Sequence, residues 1–326
     1  MQILRDKDIW DLLSFEDVFD VSERVFRSVA EHTIHVAHGG TIWMDKGHHN
    51  MFCSMSAYLP EQKIAGMKWF NMFVDHLPDV PSMNGHLIVL NDTETGAPIA
   101  LCNGTAITAM RTAPGHGTVA AVHLSKPDSS VLAVIGCGKQ GWLGIQAICR
   151  KFPISEIRLY SKSQERMEEL RSLMKKQFLP NVTICHSPPE AAWNADIILS
   201  VTDSQRPLLS EKDIAPGATV LGLYSFNDLD QNMASDLDKW VVGCRASDQK
   251  SILENQALKA RGVTLCSEWI YAELGDIICH RKPGRENDKE RILYTHMGMA
   301  AFDVAVAAAL YKKATQRPQP GEFLTF

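Results

Sequence analysis

Residues 131–150 constrain the fold more tightly than any other stretch. Val131-Leu132-Ala133-Val134-Ile135 is an apolar run of strand length that feeds directly into Gly136-Cys137-Gly138-Lys139-Gln140-Gly141. The glycines stand at the spacing G-x-G-x-x-G, and a helical stretch follows through Arg150. Gly136 permits the tight turn, Gly138 lets a pyrophosphate approach the backbone, and Gly141 lets the helix pack close to the strand. The helix that opens at Lys139 and Gln140 offers N–H donors and a partial positive charge to an anion. Strand, loop and helix in this order predict a dinucleotide-binding unit.

The segments downstream keep this character. Short apolar runs at Ile157 to Tyr160, Val182 to Cys185, Ile197 to Val201, Val220 to Leu223 and Trp240 to Val242 alternate with helical stretches. Runs that are continuously apolar belong to strands covered on both faces, so the expected fold is α/β, a Rossmann doubly wound parallel sheet over residues 116–300. With 326 residues the chain is long enough for two domains. The first hundred residues read as α+β: a helix from Glu16 to Val29, a strand or loop from Thr33 to Trp43, strands at Ile64 to Phe70 and His86 to Leu90, and a hairpin through Asn91–Pro98 to Ile99–Cys102. Thr105 to Leu124, rich in Ala and Thr, reads as a buried helix. Met299 to Ala314 reads as the last helix, followed by a loose tail at Gln316–Pro320.

The 45% hydrophobic and 22% charged residues exclude disorder and a fibrous architecture, and the net charge of −5 argues against nucleic-acid binding. The charged start Met1–Asp8 lacks the apolar core of a secretory signal, and no apolar run reaches the roughly 18 residues of a membrane span. The expected location is therefore cytoplasmic. The eight cysteines are scattered, without a C-x-x-C pair or a histidine at ligand spacing, so reduced thiols and no metal site are expected.

The residue at the end of the second Rossmann strand senses the adenosine ribose, and an acid there suits the 2′-hydroxyl of NAD. Here Leu159-Tyr160 runs into Ser161-Lys162-Ser163, with Arg166 one turn on and no carboxylate. Cations and hydroxyls suit a 2′-phosphate, so NADP(H) is preferred over NAD(H). The alternative is that Ser161 caps the next helix while Lys162 and Arg166 are merely solvated.

Several further motifs extend over nearly the whole chain: Gly66-Met67-Lys68-Trp69, the turn Asp92–Pro98, Leu101-Cys102-Asn103-Gly104, Thr108-Ala109-Met110-Arg111-Thr112-Ala113, Asn194–Ile198, Pro216-Gly217-Ala218, Glu273-Leu274-Gly275-Asp276 and Gly298–Asp303. In these, with the Gly-rich loop, the sequence resembles the ornithine cyclodeaminase and mu-crystallin family. The resemblance implies a homodimer in which residues 1–115, joined by the C-terminal helix 301–326, form a substrate-binding and dimerisation domain. It implies that Lys68 contacts an amino-acid-like substrate, that Arg111 holds its carboxylate, and that Thr112 and the Gly-rich loop hold cofactor phosphates. Thr202 and Leu223 join the cofactor candidates. A planar guanidinium matches a carboxylate with two parallel donors, and a lysine amine near an imine can position a proton. The alternative is that each of these charges pairs with a structural acid.

Departures from the family pattern bear on the chemistry. Phe226 stands near the place of the cyclodeaminases' catalytic Asp and Asn232 near that of a Glu, while Asp228, two residues on, is the catalytic carboxylate a shifted loop would present. A second family Arg is absent from Val36–Trp43, leaving His38, Lys46, His48 or His49 as substitutes, with His49 as a substrate-binding candidate. Pro114 follows Arg111-Thr112-Ala113, where it could open a helix, and His296 replaces a Ser. Trp43, Trp69, Phe70, Tyr224 and Phe226 suggest an apolar pocket, or core. The leading expectation is an imine reductase or amino-acid dehydrogenase, with Lys68 or His49 handling the proton. The alternatives are a cyclodeaminase with tightly held NAD, a non-catalytic NADPH-binding crystallin-like protein, and a dehydrogenase forming secondary amines.

Overall fold

The computed structural model describes residues 1–44, 50–73, 85–177, 181–224, 226–317 and 322–324. The chain forms two compact units, 1–111 with 299–326, and 112–298. The divisions fall at 111/112 and 298/299 rather than at the expected 115/116 and 300/301. The first shift has a local cause. The Ala- and Thr-rich stretch is not one helix but α3 (Gly104–Met110), a π-helical turn (Arg111–Gly117) and α4 (Thr118–Leu124). Pro114 lies inside the π turn and does not open a helix. Proline lacks an N–H and crowds the carbonyl four residues back, and a widened turn accommodates both defects.

In the first unit, β2 (His35–Trp43), β3 (Asn50–Leu59), β4 (Ile64–Phe73), β5 (His86–Asp92) and β6 (Pro98–Asn103) pair antiparallel in sequence. β1 (Gln2–Leu4) adds to β6 in parallel, and the short strand Glu322–Phe323 closes that edge. Residues 318–321 of the tail lie outside the described residues. The expected hairpin is β5–β6. Asp92 Oδ1 accepts from the amides of Glu94 and Thr95, and Gly96 takes the left-handed conformation (φ 75°) that completes the turn. α2 (Phe15–Ala30), opened by the capping box of Ser14 and Asp17, packs with the C-terminal helix Ala300–Thr315 over one face of the sheet. The approach is close: a Cβ on Gly66 would lie 2.9 Å from Val304. Strand alternation therefore directs Gly66 and Lys68 towards the helix, and Met67 and Trp69 to the opposite face.

The second unit is an all-parallel sheet of eight strands: β7 (Val131–Ile135), β8 (Glu156–Tyr160), β9 (Asn181–Ile184), β10 (Ile197–Ser200), β11 (Thr219–Gly222), β12 (Lys239–Val242), β13 (Ile270–Glu273) and β14 (Ile292–Thr295). Their order is β13-β12-β14-β11-β10-β7-β8-β9. The order reverses between β7 and β10, the position where doubly wound sheets open a crevice at their carboxyl ends. Six of these strands coincide with the apolar runs of the sequence, whereas β13 and β14 were not among the expected strands. Among the described residues no helix is long and apolar enough to cross a membrane.

Candidate active site

The crevice at the carboxyl ends of β7, β8 and β10 is a cleft of about 380 Å³. The glycines divide their work as the spacing requires. Gly136 has φ 112°, and a Cβ there would stand 2.6 Å from the Val201 carbonyl oxygen. A Cβ on Gly141 would collide with the Gly136 carbonyl oxygen, so this position sets helix-to-loop packing. Around Gly138 nothing stands within 4 Å of a built Cβ. Gly138 also caps the 13-residue helix α5 (Lys139–Lys151), so open space faces a helix N-terminus. That combination fits a diphosphate.

Gly136, Gly138, Lys139, Gln140, Ser161, Lys162, Ser163, Arg166 and Thr202 line the cleft together with Tyr224. Gln140 also ties the loop to the π turn, its Oε1 accepting from the Ala113 amide at 3.0 Å. On the adenosine side, the cap of α6 (Gln164–Lys176) is Ser163, whose Oγ accepts from the Arg166 amide at 3.2 Å, and not Ser161. Lys162 and Arg166 are exposed. Three expected cofactor residues are not among those lining the cleft: Gly141, buried at the helix start, Leu223 and Thr112. Leu223 is buried, with its Cδ1 where a Gly117 Cβ would have to stand, and Thr112 is buried in the π turn.

The first unit holds a buried charge cluster. Lys68, 3% exposed on β4, donates from Nζ to Thr108 Oγ1 at 2.8 Å and to Asp303 Oδ1 at 3.1 Å. Arg111 donates from Nε to the same Asp303 oxygen at 3.2 Å. Both cations thus pair with an acid, as the alternative reading held, and they share this one. Asp303 is fully buried, and its Oδ2 makes no hydrogen bond among the described residues. Burial works to raise this carboxyl's pKa, but Arg111 and Lys68 outweigh it and hold the group below the ordinary range. Burial, reinforced by Arg111 and opposed by Asp303, brings the Lys68 ammonium down to about 8. His86 on β5 meets Thr108 Oγ1 through Nδ1 at 3.2 Å, and burial with the Lys68 charge lowers its pKa to about 4. Two cations thus meet at one buried carboxylate, the kind of setting in which a substrate carboxylate and a proton donor can be held close together.

Sequence reasoning missed Asp303 and His86 as site residues. Asp303 carried a signal, since a carboxylate in the apolar run Ala300-Ala301-Phe302-Asp303-Val304 needs a buried partner. Asp228 is placed differently from the catalytic role expected of it. It is 1% exposed, does not line the cleft, and accepts from the Ser200 hydroxyl at 2.5 Å, while burial pushes its pKa up to about 6. Asp228 is thus held in the interior of the second unit by Ser200, away from the lining of this cleft. Phe226 is also core, edge-on to Trp240 at 5.8 Å. Trp69 stacks on Phe52 on the sheet face opposite Lys68, whereas Phe70 lies under the Lys68 ammonium at 5.1 Å. His296 bonds Asp248 through Nδ1 at 2.9 Å inside the second unit. Lys46, His48 and His49 lie outside the described residues. The cysteines are free thiols, and no group of three potential metal ligands occurs among the described residues.

Comparison with known proteins places this architecture. The alanine dehydrogenase of Archaeoglobus fulgidus is 27% identical over 319 residues, covering 97% of this chain and 95% of that protein. A Δ(1)-pyrroline-2-carboxylate reductase of Bacillus thuringiensis subsp. konkukian is 31% identical over 239 residues, 72% of each chain. The solved structure of the Thermococcus litoralis Δ(1)-pyrroline-2-carboxylate reductase, in complex with NADH and L-proline, matches with a TM-score of 0.87 at 26% identity, over 97% of this chain and 98% of that one. Residues 2–317 match a single family description, so the chain belongs to the ornithine cyclodeaminase/mu-crystallin family.

Proposed function

We propose that the protein is an NAD(P)H-dependent oxidoreductase that reduces the C=N bond of an amino-acid-like imine and, in reverse, dehydrogenates the amino acid. The observation that carries this reading is the buried Lys68–Asp303–Arg111 cluster, in which a lysine held to about 8 and a guanidinium share one carboxylate. Arg111 binds the substrate carboxylate, since Asp303 orients its planar guanidinium and such a group matches a carboxylate with parallel donors. Lys68 donates the proton that the reduced nitrogen requires. An ammonium titrating near neutral pH both holds and releases a proton readily. When bound, the dinucleotide supplies the hydride. Gly138, Lys139 and Gln140 hold its diphosphate at the start of α5, and Thr202 borders the same cleft. NADP(H) is preferred, because Lys162 and Arg166 offer two exposed cations to a 2′-phosphate with Ser161 and Ser163 beside them.

The protein works as a homodimer joined through the open face of the first unit's sheet, where Tyr58, Met67 and Leu87 are exposed among apolar neighbours. The deciding experiment follows the absorbance of NADPH and NADH with cyclic ketimines, and with 2-oxo acids plus ammonia. Substrate-dependent oxidation of NADPH, lost in Arg111→Ala and shifted towards NADH in Lys162→Ala/Arg166→Ala, is the expected result. Ammonia release from ornithine-like amino acids without net cofactor oxidation would instead make the protein a cyclodeaminase.

A further inference from the structure

We propose that His86, acting through the Thr108 hydroxyl, is the conduit that returns a proton from solvent to Lys68 after each turnover. The inference rests on the reductase reading above. Reduction of a neutral imine consumes one proton, and Lys68 is too deeply buried to recover it directly from water. Its ammonium touches Thr108, Asp303 and the Phe70 ring. Asp303 has no proton to give, because two cations keep it ionised inside a fully buried site. The Thr108 hydroxyl leads further: it bonds Lys68 at 2.8 Å on one side and His86 Nδ1 at 3.2 Å on the other. His86 is only half-buried, so this chain of hydrogen bonds runs from a sealed amine to a residue that is partly open to solvent.

The surroundings orient His86 towards Thr108 and keep its ring neutral. Phe70 meets it edge-on at 5.5 Å, and Gly104 allows α3 to approach so closely that a Cβ there would stand 2.9 Å from the His86 backbone. The Thr105 hydroxyl accepts from the His86 amide at 3.1 Å. The charged groups facing His86 are Lys68 on β4, Arg111 in the π turn and Asp303 on the C-terminal helix, and burial with the Lys68 charge sets the imidazole against protonation. A neutral imidazole passes a proton by giving one at Nδ1 and taking one at Nε2, so no second lasting cation forms beside Lys68.

The proton balance is closed. Once Lys68 has given its proton to the substrate nitrogen, the Thr108 hydroxyl, which donates to the Gly104 carbonyl oxygen at 2.7 Å, turns to Nζ and its proton moves there. The His86 Nδ1 proton moves to the Thr108 oxygen, and water supplies a proton at Nε2. Lys68 is again an ammonium, Thr108 is unchanged, and one proton has left the solvent. The His86 tautomer resets by exchange with water as the ring rotates. Dehydrogenation runs the sequence backwards.

Two variants test this. His86→Phe keeps the ring volume against Phe70 and removes both nitrogens, and His86→Ala opens room for added imidazole. In steady-state reduction kcat should fall about tenfold or more in both, with the imine KM little changed, and imidazole should restore kcat in His86→Ala. Independently of any substrate, exchange of the ¹⁵N-labelled Lys68 ammonium protons with water in the free protein should slow about tenfold in His86→Phe. Unchanged exchange, or a kcat loss that imidazole does not rescue, overturns the relay. Slowed exchange in a protein that reduces no imine would support the relay and sink the reductase reading.

Discussion

Asp303 sets the properties of both cations that bond to it. Replacing it with Asn leaves Lys68 and Arg111 buried side by side, and losing one partner of a buried ionic network costs about 3–5 kcal/mol. Asp303→Asn should therefore lower the stability measured by urea denaturation by that order. It should also move the alkaline limit of imine reduction to lower pH. In the wild type, reduction should decline as pH rises through about 8, where Lys68 loses its proton. Asp303 raises that value, so without it the decline begins earlier; an unchanged pH profile would detach Asp303 from Lys68. Asp228 gives a second test at this scale. Its pKa in the fold, about 6, lies above the ordinary 3.8, so its stabilising contribution is full below the unfolded value and is lost as pH rises through about 6. A displacement of that size in a proton equilibrium is worth about 3 kcal/mol. The stability difference between the wild type and Asp228→Asn should change by that order between about pH 4 and pH 8, and a flat difference would contradict the burial argument. Lys68 and Arg111 were readable as charges in apolar stretches. Asp303 stands within a family motif, yet its partners are 235 and 192 positions away in sequence, and no local pattern joins them.

At the level of elements, the glycine loop separates folding from binding. Gly141→Ala forces a methyl group onto the Gly136 carbonyl and should cost about 1–3 kcal/mol in thermal or urea unfolding. Gly138→Ala meets open space, so stability should hold while NAD(P)H affinity falls, as read by fluorescence titration of the bound nicotinamide. Equal loss of stability in both variants would refute the division of labour. Strand and glycine spacing made this loop legible because its interactions are short-range. β3 was not legible: Asn50, Cys53, Ser54 and Ser56 interrupt its apolar residues. The π turn was hidden too, since propensity alone reads the stretch around Pro114 as an uninterrupted helix with one poor residue.

For the whole molecule, the first unit has one sheet face covered by the C-terminal helix, with α2 packed on that helix, and another that carries Tyr58, Met67, Trp69 and Leu87. If the proposed homodimer forms through that face, a charge placed there, as in Met67→Glu or Leu87→Glu, should leave the protein a monomer in sedimentation analysis. Retention of the dimer would move the interface elsewhere. The sequence by itself determined the class of the second unit, because apolar strand runs and the G-x-G-x-x-G turn act over a few residues and need no distant partner. It also marked Lys68 and Arg111 as candidates. Only the tertiary structure decided that one carboxylate serves both cations, that His86 reaches them through Thr108, and that Asp228 lies in the core. Burial and long-range contact set those charges, and a one-dimensional pattern carries neither.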